Sequence, residues 1–141
     1  MNQICEFWAA IVRSGETKHD QGDLAKAEYL YNKAMEQIVY DDELPQRSQS
    51  LGLILSHLGD VYSDLQRHSE AEFLYRRALS FFGEAAGKND WRLVLVMRAL
   101  GQSIADQGRK EEGQRYHVAA TVLANIIFGL GEFDSGLSLE A

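Results

Sequence analysis

Leu55-Ser56-His57-Leu58-Gly59-Asp60-Val61-Tyr62, followed after a short break by Ala71-Glu72-Phe73-Leu74-Tyr75-Arg76-Arg77-Ala78-Leu79, is the stretch on which the fold turns. Leu51, Leu55, Leu58, Tyr62 and Leu65 step by four, three, four and three, the apolar stripe of an amphipathic helix. Ala71, Tyr75, Ala78 and Phe82 keep that rhythm, so a second helix follows the first. Gln66-Arg67-His68-Ser69 between them is short and polar and predicts a tight turn, with Ser69 as N-cap of the returning helix.

The same pattern occurs on both sides. Upstream stand Ile11-Val12-Arg13-Ser14-Gly15, Gln21-Gly22-Asp23 and Ala27-Glu28-Tyr29-Leu30-Tyr31-Asn32-Lys33-Ala34. Downstream stand Met97-Arg98-Ala99-Leu100-Gly101, Gln107-Gly108, Glu112-Gly113-Gln114-Arg115-Tyr116 and Ala120. Gly15, Gly59 and Gly101 lie 44 and 42 residues apart, a period that means stacked supersecondary units. A glycine inside a helix costs about 1 kcal/mol relative to alanine. Repeating that cost three times predicts close approach of a neighbouring helix, with Ala27 and Ala71 at the crossings and Tyr31 and Tyr75 beside them. Asp41-Asp42-Glu43-Leu44-Pro45 and Asn89-Asp90 read as starts of the second and third units.

These residues resemble the tetratricopeptide repeat. Leu55, Leu58-Gly59, Tyr62, Ala71, Tyr75 and Ala78 match its pattern best. The first unit has Ser14 and Lys18 where Leu and Tyr are usual, and the third has Ile104, Gly113 and His117 in place of Tyr, Ala and an aromatic. A period near 42, rather than the usual ~34, looks more like the longer repeats of the kinesin-light-chain type. The resemblance implies an all-α, right-handed α-α superhelix of three helix hairpins over residues 1–131. The repeats would span about 4–41, 45–87 and 90–128, and residues 132–141 read as a short tail. It further implies a non-enzymatic scaffold or adaptor that binds a protein or peptide in a concave groove lined by the first helix of each pair.

Placed on this chain, that groove is expected to contain Val12, Glu16 and Asp20, then Leu53, Ser56, Asp60 and Asp64, then Leu95, Arg98 and Gln102. The family's clamp for a C-terminal carboxylate needs Lys and Asn, and the corresponding places hold Glu16, Asp60 and Gln102. Acids on one inner face instead favour a basic or donor-rich peptide. The alternative, a merely solvated helix face, remains open at this stage.

Composition narrows the classes further. The chain has 141 residues, 45% hydrophobic and 25% charged, enough for one domain with its own core. Lys and Arg number 14 against 21 Asp and Glu, a net charge of −7 that argues against nucleic-acid or anionic-membrane binding. Cys5, the single cysteine, excludes an intramolecular disulfide framework and a multi-cysteine zinc site. The opening Met1-Asn2-Gln3-Ile4-Cys5-Glu6 lacks a basic n-region, and no run approaches the ~18 apolar residues of a membrane span, so a cytoplasmic setting is expected. His19, His57, His68 and His117 form no ligand pair of recognisable spacing, and no phosphate loop is present, so no cofactor, metal or catalytic residue is expected. Only a ligand or metal in a deep pocket lined by His57 would reopen the question of an enzyme.

The ends of the array carry more apolar residues than one inward stripe requires. Phe7 and Trp8 in the first helix, and Leu123 and Ile127 in the last, are candidates for self-association or for docking into a larger complex. The alternative is that the tail covers the last helix. Two other functions stay open: a small chaperone of a secretion system, and an assembly or regulatory subunit of an enzyme complex that docks through those terminal helices.

Overall fold

The computed structural model describes residues 3–44, 46–86 and 90–129, with the side chains of 3–6, 85 and 86 excepted. Six helices follow one another: α1 (Gln3–Asp20), α2 (Leu24–Val39), α3 (Arg47–Asp64), α4 (His68–Ala86), α5 (Trp91–Ala105) and α6 (Lys110–Phe128). They pair as three antiparallel hairpins, the all-α helical-repeat architecture read from the sequence. Pro45, Asn89, the Cys5 side chain and the tail assigned to 132–141 lie outside the described residues.

The hairpins turn in one way at three places. Each first helix ends in a Schellman motif, with a residue of positive φ just past the helix: Gly22 (78°), Gln66 (63°) and Gly108 (91°). In the first, the Gly22 N–H donates to His19 O at 2.9 Å and the Asp23 N–H to Lys18 O at 2.9 Å. Gln66 and Arg67 donate to Ser63 O and Tyr62 O, and Gly108 and Arg109 to Ala105 O and Ile104 O, in the same pattern. Gln66 occupies the left-handed position without glycine's freedom, a strain on the order of 1 kcal/mol.

One helix start agrees with the sequence reading, Asp90 ahead of α5, and Asp23 adds a second side-chain cap. Asp23 accepts from the Lys26 N–H at the head of α2, and Asp90 from the Arg92 N–H at the head of α5. Ser69 is not the cap of α4, however. The helix already begins at His68, because the two Schellman bonds end α3 and release the chain directly into the next turn.

The small residues permit the close hairpins. A Cβ added at Gly15 would fall 2.7 Å from the Tyr31 ring, and one at Gly59 2.6 Å from the Tyr75 ring. The third hairpin replaces glycine against aromatic by glycine against backbone. There, a Cβ at Gly101 would meet Gly113 O at 2.7 Å, and one at Gly113 would meet Gly101 O at 2.5 Å. Two buried clusters carry most of the core. One gathers Ala27, Tyr31, Ala34, Ile38, Ile54 and Leu58; the other gathers Leu55, Ala71, Tyr75, Phe82, Leu100 and Ile104. Core residues of α3 face both neighbours, which is how the middle hairpin joins the outer two.

Beyond neighbours in chain order, the backbones of α1 and α3 and those of α3 and α5 also come close, whereas α4 and α6 meet only through side chains. The row therefore bends toward the side of the first helices. No described helix is long and apolar enough to cross a membrane.

Candidate functional site

A cleft of about 490 Å³ opens on the first-helix side, between α3 and α5, with α4 beneath it and the end of α1 at its edge. Its apolar part consists of Leu53 from α3, Phe82 from α4, and Trp91, Leu95, Val96 and Ala99 from α5. Trp91 and Leu95 sit four residues apart on one face of α5 and remain 55% and 53% exposed, unusual for such large apolar side chains. Its polar part consists of Glu16, Ser56, His57, Asp60, Tyr75 and Arg92.

Asp60 is the centre of the polar end. Tyr75, pressed against Gly59, reaches up from α4 and donates its hydroxyl to Asp60 Oδ1. Among the described residues no Lys or Arg forms an ion pair with Asp60. Burial pushes its carboxyl above the ordinary aspartate value, against the opposing pull of the Tyr75 hydroxyl and of His57 and His19. The Tyr75 phenol is in turn pushed up, first by burial and then by the Asp60 charge.

His57 stacks flat on Tyr31, with ring centroids 5.1 Å apart and planes 8° from parallel. Burial lowers its pKa, with Glu16 and Asp60 pulling the other way, so the ring is neutral at pH 7. Its Nε2 lies 3.2 Å from Glu16 Oε1, but outside hydrogen-bond geometry. Both His57 Nε2 and the hydroxyl of fully buried Tyr31 therefore lack a hydrogen-bond partner among the described residues. Buried polar atoms without partners are uncommon.

His57 lines the cleft. Its neighbour Ser56 is not activated by it: the Ser56 hydroxyl donates to Leu53 O of its own helix at 2.7 Å. Among the described residues no group of three His, Cys, Asp or Glu is placed to hold a metal ion. What the arrangement can do is accept hydrogen bonds and positive charge at one end and apolar side chains at the other.

The expected groove residues divide. Glu16, Leu53, Ser56, Asp60 and Leu95 come together in the cleft. Val12 does not belong to it: the residue is 4% exposed and packs in the first core cluster, because it lies on the face of α1 that meets α2 and α3. Asp64 pairs with His19 across the α1–α3 boundary. Gln102 donates to Asp106 Oδ1 at 2.8 Å, while Asp20 and Arg98 stand exposed beyond the cleft lining. Trp91, Tyr75 and Phe82 were missed. Trp91 had a signal, its i,i+4 spacing to Leu95; Tyr75 and Phe82 read as core, which they also are.

At the ends of the row the apolar surplus is placed differently from expectation. Phe7 is exposed, but Trp8 is partly buried on the first cluster, and Leu123 and Ile127 pack inward against α5. The outward stripe of α6 is instead Val118, Val122 and Ile126, each more than half exposed.

No curated protein matches the chain. A family model described as tetratricopeptide repeat matches residues 8–84, across the first two hairpins with their Gly15–Tyr31 and Gly59–Tyr75 contacts. The chain belongs to the tetratricopeptide repeat family.

Proposed function

We propose that the chain takes a peptide segment of a partner protein into the first-helix cleft, and that the segment is basic or donor-rich where it meets Glu16 and Asp60. The family is one of protein–protein interaction modules, generally non-catalytic. The observation that carries the reading is Asp60, a carboxylate sunk beside an apolar wall with a tyrosine hydroxyl as its partner and no described cation paired to it. An anion held in that way bears a desolvation cost that a ligand cation or N–H donor would offset. The paired helices hold Leu53, Asp60, Trp91 and Leu95 in place before binding, so little ordering entropy is lost on this side.

Selection from a displayed random-peptide library, with binders re-tested on Leu95→Asp, checks the reading. Peptides that bind the protein and lose most affinity on that variant are expected. Binders that are all indifferent to Leu95→Asp, with the variant's helicity intact, would remove the cleft as the site.

A second contact is favoured by the α6 stripe of Val118, Val122 and Ile126, which would serve self-association or docking into a larger complex. Sedimentation of the wild type against Ile126→Glu tests it. A monomer for both at high micromolar concentration counts against self-association.

A further inference from the structure

The two ends of the cleft lie at a fixed separation that selects its ligand. Leu53 and Asp60 are seven residues apart on α3, about 10 Å along its axis. Leu95 on α5 stands 42 residues beyond Leu53, the same offset as Gly101 from Gly59, so the two leucines form one apolar level. Glu16 and Asp60 are related by the 44-residue offset of Gly15 and Gly59 and form one acidic level. The cleft therefore presents two levels roughly 10 Å apart, one anionic and one apolar.

Resting on the peptide-binding reading above, we infer that the ligand is an extended, polyproline-II-like segment carrying Lys or Arg at one position and a bulky aliphatic residue three positions away. A polyproline II chain rises about 3.1 Å per residue with three residues per turn, so side chains at i and i+3 share a face about 9 Å apart. In a β-strand, residues i and i+3 point to opposite faces, and i and i+2 are only about 7 Å apart. A helix could span the distance with i and i+7. At 10–12 Å in diameter that takes two full turns of helix, whereas the extended chain covers the distance within four residues. The cation is drawn to Asp60 because that carboxylate has no described counter-ion, and Glu16 adds a second negative charge at the same level. The aliphatic side chain covers exposed Leu95 and Trp91.

Three capped hexapeptides test the register by NMR titration of the ¹⁵N-labelled protein. The first is Pro-Lys-Pro-Pro-Leu-Pro, the second has Glu in place of Lys, and the third is Pro-Lys-Leu-Pro-Pro-Pro with the two anchors adjacent. The first is expected to bind about tenfold more tightly than either of the others, a difference of ~1.4 kcal/mol, with shifts at Asp60 and Leu95. Asp60→Asn keeps an acceptor for Tyr75 and should reduce the Lys-over-Glu preference to less than about threefold. Glu16→Gln serves as a second variant should the first lose helicity. Equal binding of the Lys and Glu peptides, or of the spaced and adjacent ones, overturns the inference. If those equal affinities come with shifts confined to the cleft, the peptide-binding reading survives; failure of the Leu95-dependent selection removes both.

Discussion

Asp60 and Glu72 are acids twelve residues apart, each lying against a neighbouring hairpin, yet they are in opposite states. Glu72, on α4, accepts from both Nη atoms of Arg109 at 2.8 and 3.1 Å, from Gln107 at 2.8 Å and from Arg76 at 3.0 Å. Those bonds, Arg109 first, hold its carboxyl down at about 2. Arg76 continues to Tyr116 and Glu112 on α6, so one acid ties the second hairpin to the third. Asp60 has a single neutral donor, and burial pushes its carboxyl up. A carboxylate surrounded by donors is a fastener, and nothing further can be asked of it. A carboxylate kept short of them at the mouth of a cleft has capacity left for a ligand.

That contrast can be broken most forcefully through the glycine beneath it. Gly59→Val drives side-chain atoms into the Tyr75 ring, which a Cβ alone would approach to 2.6 Å. Overpacking of this kind should cost about 3 kcal/mol, read as a lowered urea midpoint, and should displace the hydroxyl that holds Asp60.

Glu72→Gln leaves two arginines without their shared anion and should cost about 2 kcal/mol at pH 7. Its folded-state value lies below its unfolded one. The stability it contributes is therefore complete above about 4.5 and is lost as pH falls toward about 2. The variant should accordingly show a flatter acid limb in denaturant titrations than the wild type, and identical acid limbs would refute the fastener role.

At the cleft, acid acts on binding in one direction through two groups. Lowering the pH toward the raised Asp60 value removes its charge, and protonation of His57 adds a positive one. Affinity for the lysine hexapeptide should fall as the pH is lowered from 7 to the acid limit of the folded state, measured by the same titration. Constant affinity over that range would sink the electrostatic contrast.

The smallest effect is also the most telling. A carboxyl with a raised folded-state value makes stability fall as pH rises through that value, so its charge at pH 7 is a cost to folding. Asp60→Asn should leave stability unchanged or raise it by up to about 1 kcal/mol, opposite in sign to Glu72→Gln. A loss of 2 kcal/mol at Asp60 would make the two acids alike and end the comparison.

Periodicity carried most of the architecture, because amphipathic stripes and glycine spacing are local properties that hold wherever the helices go. Gly15 and Gly59 announced aromatic neighbours, and Tyr31 and Tyr75 occupy those places. Gly22 and Gly108 marked two of the turns; the third was harder to see because Gln66 holds a left-handed conformation normally left to glycine. Ser69 misled as a cap, since capping chemistry in the sequence cannot say which residue the preceding Schellman bonds will release. The site was half legible. Glu16, Leu53, Ser56, Asp60 and Leu95 follow from the face that first helices present, whereas Val12 sits on the other face of its own helix.

By itself, then, the order of amino acids determined six helices and their pairing, since these depend on contacts within a few turns of chain. Folding in three dimensions decided which acid is satisfied and which is left wanting. Whether Arg109 reaches Glu72, and whether any described cation reaches Asp60, depends on how neighbouring hairpins lie against each other. A carboxylate is satisfied only by donors within hydrogen-bond reach, so only the packed structure can assign its partners.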